Sequence, residues 1–176
     1  MLQPDSYIIG PIPGFSPGVG RLAAMMTYAR WTTMRAVEGL TMSQLDHLHD
    51  ESSNSIGALL AHIASVEVGY QRATFDGRSM TSATRDAEWM VAAQLGDRAR
   101  REIRGKPLEH YLDGLEEVRS FTLSELAHRD DEWLDQTTAF GNGRKANNYF
   151  KWFHVFEDEL NHRGQIRWLR HRLPGS

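Results

Sequence analysis

Residues 149–169 are the stretch that most constrains the fold, because large apolar side chains and polar ones are mixed there at helical spacing. Its apolar members are Tyr149, Phe150, Trp152, Phe153, Val155, Phe156, Leu160, Ile166, Trp168 and Leu169. Apolar side chains on nearly every side of a helix predict packing against several neighbours. The stretch therefore predicts a long helix with more surface to bury than the interior of one helical bundle accommodates.

A polar cluster interrupts this apolar helix and is made of His154, Asp158, Asn161 and His162. At about 3.6 residues per turn, Asp158 and His162 lie one above the other on the same side. A carboxylate and an imidazole among core residues are costly to bury unless they are paired, hydrogen-bonded or bound to a metal. The cluster is therefore the first candidate for a functional site.

The composition of the 176 residues is that of one soluble globular domain, with 40% apolar and 24% charged residues. The formal net charge is −3, so no overall positive field attracts nucleic acid or an anionic membrane. The basic run at residues 98–106 is interleaved with Asp97 and Glu102 and lacks aromatic partners, which favours a solvated surface. We expect neither a nucleic-acid partner nor a membrane partner.

The chain has no cysteine, which excludes a disulfide framework, a thiolate metal site and a cysteine nucleophile. Any metal ion must therefore be held by histidines and carboxylates. The N-terminus shows no basic segment followed by an apolar run, and no run of about 18 apolar residues occurs anywhere. These absences predict a cytoplasmic protein.

Four long segments have apolar residues at helical spacing: residues 21–39, about 55–76, 107–129 and 149–169. No segment alternates apolar and polar residues convincingly with the period of a strand. Two of the connections are too long for tight hairpins between helices. The sequence therefore predicts an all-α fold, a four-helix bundle with long crossover connections.

Several details of the connections are also predicted from the sequence. A short helical turn is expected at residues 41–46, an irregular crossover at 78–106 and a turn-rich loop at 140–144. The residues able to cap the second long helix are Ser53, Asn54 and Ser55. The exposed side of the first helix is predicted to carry Arg21, Arg30, Arg35 and Glu38.

Residues 1–20 are predicted to form an extended arm, because they contain four of the six prolines and four glycines. The arm is too apolar for a free tail, so it is expected to pack across the body or onto a second subunit. Residues 21–176 then form a single bundle domain. The arm and the apolar last helix together predict a homodimer.

Two motifs, in this order and at this separation, resemble the DinB/YfiT-like superfamily. The first is Leu59-Leu-Ala-His-Ile-Ala, and the second is Phe153-His-Val-Phe-Glu-Asp-Glu-Leu-Asn-His-Arg-Gly-Gln-Ile. The resemblance covers nearly the whole chain after the arm. It implies a bacterial four-helix bundle that holds a divalent metal ion.

The resemblance also implies which residues bind the metal. Family members typically use one histidine of the second helix and two residues four apart on the last helix, which correspond here to His62, Asp158 and His162. Both residues of the last helix are most often histidines, so Asp158 is a departure from the pattern. Aspartate remains a suitable ligand for zinc, nickel, iron or manganese. His154, one turn before Asp158, is a reserve ligand or a hydrogen-bonding partner of the ligands.

Each of these residues also fits a simpler interpretation. A single histidine such as His62 beside an apolar stripe is often a hydrogen-bonded core residue. Asp158 and His162 alone also fit an ion pair on a solvated helix face, which contributes only about 0.2–0.5 kcal/mol.

A second kind of metal site matches part of the sequence. Glu159-x-x-His162 and Glu125-x-x-His128 both have the carboxylate–histidine spacing of ferritin-like di-iron bundles. Against this reading, His128 stands at a predicted helix end, where solvent exposure explains it better. Glu159 also points about 100° away from Asp158 around the helix.

The resemblance implies a metal-dependent enzyme that acts on a small molecule, either a thiol S-transferase or a hydrolase. The S-transferases of the superfamily use a low-molecular-weight thiol such as bacillithiol or mycothiol. The alternative is a stress-response bundle that binds a metal or a small molecule without turnover. Conjugation of an electrophile to a thiol in the presence of metal distinguishes these two hypotheses.

Overall fold

The computed structural model describes residues 7–78, 87–141 and 143–174, which are mostly helical. In chain order the elements are α1 (Pro17–Val37), α2 (Met42–Leu45), α3 (Ile56–Thr74), α4 (Ala87–Gln94), α5 (Gly96–Glu102), α6 (Leu108–Leu126), α7 (Asp131–Asp135), β1 (Thr137–Phe140), β2 (Arg144–Asn147) and α8 (Asn148–Arg170). The four long helices are α1, α3, α6 and α8, and the prediction of an all-α, four-helix bundle is confirmed. Among the described residues, no helix has the length and apolar character needed to cross a membrane.

The four long helices pack in pairs, with α8 against both α1 and α3, and α3 against α6. Gly57 meets Tyr111 near the start of α3 and α6, and Gln71 donates to Thr122 near their ends. These two helices therefore run in the same direction, which requires a long crossover between them. The crossover contains the short helices α4 and α5, so the predicted irregular structure at residues 78–106 was partly wrong.

The starts of three helices follow local capping rules. The Ser55 hydroxyl accepts from the backbone N–H of Ala58, and the Asn147 side chain does the same for Phe150. Thr41 and Gln44 form a reciprocal capping box at α2, where a helical turn was predicted. These caps explain why the sequence locates the starts of α2 and α3 well.

The start of α1 differs from its predicted position, because the helix begins at Pro17 rather than at residue 21. Its first turn is held by Asp131 of α7, whose carboxylate accepts from the Ser16 hydroxyl and from the backbone N–H groups of Gly18 and Val19. These hydrogen bonds lower the pKa of Asp131, the one from Ser16 most. Because Asp131 lies far from Ser16 in the sequence, the residues around Ser16 do not indicate that the helix begins there.

A short antiparallel hairpin precedes α8, although no strand was predicted. Strand β1 pairs with β2 in a register that joins Thr137 to Asn147 and Phe140 to Arg144. Both strands have only four residues and are largely exposed, so they lack the apolar alternation that identifies a strand in sequence. The last residue of β2, Asn147, is followed directly by the first turn of α8.

The bundle interior contains two apolar clusters, one around Leu60, Leu115 and Ile166 and the other around Met26 and Trp152. These side chains project from α1, α3, α6 and α8, so each cluster joins helices that are distant in sequence. Burial of large apolar side chains, each stabilising by about 1.5–3 kcal/mol, holds the four helices together.

A charged network, named here the arginine–glutamate network, lies buried among the same four helices. Arg30 of α1 donates to Glu67 at 2.8 Å and to Glu159 at 2.9 Å, and Arg119 of α6 donates to Glu67 at 2.8 Å and to Glu159 at 3.1 Å. The Thr122 hydroxyl adds a hydrogen bond to Glu67. The side chains of all four charged residues are 0–5% exposed, so the prediction that Arg30 lies on an exposed face was wrong.

The network balances two positive and two negative charges inside the protein. Burial alone raises the pKa of Glu67, but the charges of Arg119 and Arg30 outweigh it and hold that pKa at about 2. Burial likewise lowers the pKa of Arg119, and the two glutamates more than reverse the effect. Glu67 and Arg119 are therefore ionised at neutral pH, and each depends on its partners for compensation.

Candidate metal centre

Three potential metal ligands meet where α3 packs against α8. His62 projects from α3, and Asp158 and His162 lie one turn apart on α8. One ligand atom from each residue lies within 4.8 Å of the other two. The Asp158 carboxylate is 3.7 Å from Nε2 of His62 and 3.5 Å from Nε2 of His162. The three residues are only partly exposed, so the cluster has limited access to solvent.

The hydrogen bonds of the two imidazoles favour one tautomer. Nδ1 of His62 lies 2.9 Å from the carbonyl oxygen of Ala92, and this oxygen can only accept, so Nδ1 carries the proton. Nδ1 of His162 lies 3.3 Å from the side-chain oxygen of Gln165, which acts in the same way. Both Nε2 atoms are then unprotonated in the neutral rings, which is the state that binds a metal ion.

One oxygen of the carboxylate between the imidazoles lacks a hydrogen-bond partner. Oδ2 of Asp158 is buried and accepts no hydrogen bond from the described residues. A buried acceptor without a partner typically costs about 1–3 kcal/mol, and more when it is charged. A cation between the carboxylate and the two imidazoles would remove this cost, so the donor set fits a divalent metal ion.

The two histidines are in different electrostatic environments. Burial lowers the pKa of His62, and the smaller opposing effects of the Ala92 carbonyl and Asp158 do not offset it. Burial also acts to lower the pKa of His162, but the hydrogen bond and charge of Asp158 reverse the direction and raise it. Without a metal ion, Asp158 is therefore paired more closely with His162 than with His62.

Comparison with known proteins gives the family of this chain. The family model described as mycothiol S-transferase matches residues 21–175. The chain belongs to the mycothiol S-transferase family. This is a DinB/YfiT-like family, so the resemblance to that superfamily is confirmed.

A solved structure supports the same fold. The crystal structure of the conserved protein of locus from Enterococcus faecalis superposes with a TM-score of 0.69 and 14% sequence identity. The match covers 88% of this chain and 96% of that one. At this identity the comparison shows the shared fold alone. A search of the curated proteins finds no match.

In this member of the mycothiol S-transferase family, His154 lies apart from the three clustered residues. Its imidazole is 40% exposed and pairs with Glu157 at 2.9 Å, while its ring stacks on Phe150. Glu157 also accepts a hydrogen bond from Asn161. His154 thus lies on the surface of α8, and no contact with the cluster is seen among the described residues.

The ferritin-like alternative is contradicted by the position of its carboxylates. Glu159 is fully buried and bonds Arg30 and Arg119 in the arginine–glutamate network. Glu125 pairs with Arg129, and His128 is exposed. The two carboxylate–histidine pairs are therefore not assembled into one centre.

Two groups that orient the imidazoles were not identified from the sequence. Gln165 belongs to the motif that indicated the superfamily, and its position three residues after His162 was the available signal. The Ala92 carbonyl comes from the crossover helix α4, and a backbone acceptor thirty residues from His62 leaves no trace in the sequence.

A groove of about 590 Å³ lies beside the cluster, along α8 and the segment before α3. Asn161 and Gln165, which flank His162, form part of its wall, and Leu59 lies one turn before His62. The remaining lining residues are Ser52, Ser53, Asn54, Gly164, Trp168 and Leu169. The groove has no charged side chain in its lining and provides space for a neutral, hydrogen-bonding group next to the cluster.

Proposed function

We propose that this protein is a metal-dependent thiol S-transferase of the cytoplasm whose divalent ion is bound by Nε2 of His62, a carboxylate oxygen of Asp158 and Nε2 of His162. The observation that carries the proposal is the buried, unpartnered oxygen of Asp158 facing two imidazoles whose Nδ1 atoms are already bonded. Two histidines and one carboxylate suit zinc, nickel, iron or manganese.

Three protein ligands would leave coordination positions for small molecules, and an ion held there would lower the pKa of a thiol that occupies one of them. The protein itself positions the atoms that would bind the ion. Ala92 and Gln165 keep the Nδ1 protons of His62 and His162 in place, so that both Nε2 atoms face Asp158. The negative charge of Asp158 offsets part of the charge of the ion.

The family description supports a low-molecular-weight thiol of the mycothiol type as the sulfur donor. The second substrate is then a small electrophile. In the transfer, the thiol loses its proton, a sulfur–carbon bond forms and the bond to the leaving group of the electrophile breaks. The neutral groove beside the cluster provides room for the body of the thiol.

The test is a conjugation assay with mycothiol and monochlorobimane, in which the thiolate displaces chloride. We expect the wild-type protein loaded with zinc, nickel, iron or manganese to accelerate the reaction at least tenfold over metal and thiol alone. His62→Ala should lose this acceleration, since it removes a ligand, and the matched variant His154→Ala should retain it. A wild-type rate equal to the background with each metal would contradict S-transfer.

We also propose a homodimer, because several large apolar side chains are exposed on α8 and on the segment before α1. Phe150 is 44% exposed, Phe153 is 42% exposed and Ile8 is 80% exposed. Light scattering at tens of micromolar is expected to give twice the chain mass of 20.0 kDa. Phe150→Ser combined with Phe153→Ser should shift the mass toward the monomer. A wild-type monomer at these concentrations would refute the dimer.

A further inference from the structure

A second and larger cavity lies away from the candidate metal centre. It is a cleft of about 810 Å³ between α3, α6 and the crossover helices α4 and α5. Its walls are mainly apolar, with Leu60, Ala64 and Val68 on one side and Val91, Ile103 and Val118 among the facing residues. A cleft of this size and character is typical of sites that bind small organic molecules.

The cleft and the metal centre lie on different sides of α3. At about 100° per residue, Leu60, Ala64 and Val68 are turned roughly 120–160° around the helix from His62. The lining of the cleft includes none of the three clustered residues. The two sites still adjoin at α4, because Ala92 lines the cleft and its carbonyl oxygen accepts from Nδ1 of His62.

One end of the cleft carries two exposed cations on an anchored backbone. Arg104 and Lys106 line it, and in the part of the chain that the structure describes neither side chain forms an ion pair or a hydrogen bond. Between them, the backbone N–H of Gly105 donates to Asp46 at 2.8 Å, which anchors the connector. The N-terminus of α6 follows at once, and Pro107 provides no side-chain cap there. Both features favour an anion at this end.

The opposite part of the cleft carries more negative than positive charge. Asp76, Glu117 and Arg72 line it, beyond the apolar stretch formed by α3. From Leu60 to Val68 the apolar α3 wall extends roughly 12 Å, at about 1.5 Å per residue. A molecule with an anionic group at each end would meet these carboxylates, whereas one with a single anionic head and an apolar chain would not.

We propose that this cleft binds a small amphipathic carboxylate, with its head group at Arg104 and Lys106 and its apolar chain along α3 and α6. The length of the apolar wall suits a chain of about ten carbons. Burial of such a chain provides most of the affinity, at about 0.8 kcal/mol per buried methylene, and the two cations select the anionic head. The proposal is independent of the S-transferase activity.

The experiment measures the binding of decanoate and of the neutral decan-1-ol by isothermal titration calorimetry, below their aggregation concentrations. We expect the wild type to bind decanoate roughly tenfold more tightly than decan-1-ol, a difference that two exposed charge pairs together can supply. Arg104→Glu combined with Lys106→Glu should abolish this preference. Lys145→Glu, an exposed charge reversal on β2, is the matched control and should leave the preference unchanged.

A second variant tests the apolar part of the cleft. Val68 is half-buried in its wall, so Val68→Trp should fill the cleft and weaken both probes at least tenfold, with the helical circular dichroism unchanged. Equal affinity of the wild type for the two probes, or no decanoate binding, would overturn the proposal. So would undiminished binding to folded Val68→Trp. If that variant does not fold, the surface charge variants alone decide. Neither measurement involves metal or thiol, so a failure here is distinct from a failure of the S-transferase proposal.

Discussion

Arg119→Met is expected to destabilise the protein by about 3–5 kcal/mol, which is the usual cost of removing one partner from a buried ion pair. Without Arg119, the buried carboxylates of Glu67 and Glu159 share the single guanidinium of Arg30. One negative charge in the interior is then uncompensated. Chemical denaturation followed by circular dichroism measures the change as a lower midpoint at an unchanged slope.

The matched control is an arginine that pairs with a glutamate on the surface. Arg98 donates to Glu102 at 2.8 Å, and both side chains are about half exposed. Arg98→Met should change the stability by no more than about 0.5 kcal/mol, because water solvates the remaining carboxylate. If Arg119→Met costs as little as Arg98→Met, the arginine–glutamate network does not carry the stability assigned to it.

The network shows where a sequence pattern fails for a physical reason. Arg30 was assigned to the exposed face of α1 because a charged residue beside an apolar stripe is most often solvated. Its partners Glu67 and Glu159 lie on α3 and α8, and only the packed bundle brings them together. Such compensation between distant helices cannot be read from the spacing within one helix.

Other features could be predicted from the sequence where the residues that form them lie close together in the chain. The four long helices follow from apolar periodicity, and Ser55 caps α3 through a contact only three residues away. By contrast, Asp131 caps α1 from a position more than one hundred residues later. The proximity of His62 to the polar residues of α8 was predicted only through the resemblance to a family. The spacing of residues within each helix does not indicate that α3 packs against α8.

The network and the candidate metal centre share one helix, and their positions on it are related. Asp158 and Glu159 are adjacent on α8 and point about 100° apart. Glu159 is tied to Arg30 and Arg119 in the interior, which fixes the rotation of α8. With that rotation set, Asp158 faces His62. The arginine–glutamate network thus helps to hold the three candidate ligands in place.

The second large effect is expected when metal is added to the protein. An ion that binds only the folded state stabilises it by RT ln(1 + [L]/Kd), or about 2.7 kcal/mol when the free ion is at a hundred times Kd. We expect zinc, nickel or manganese to raise the melting temperature of the wild type accordingly. His62→Ala, Asp158→Ala and His162→Ala should lose most of this increment, because each removes one of the three proposed ligands.

Comparison of the variants with and without metal separates ligation from packing. If the three side chains were only structural, each substitution would cost the same with and without added metal. Asp158→Ala without metal should cost little, because the lost contact with His162 is offset by the removal of a buried oxygen that has no hydrogen-bonding partner. His154→Ala is the control, because its imidazole pairs with Glu157 instead, and it should keep the metal response. A metal response in the three ligand variants equal to that of the wild type would show that packing alone assembles the cluster.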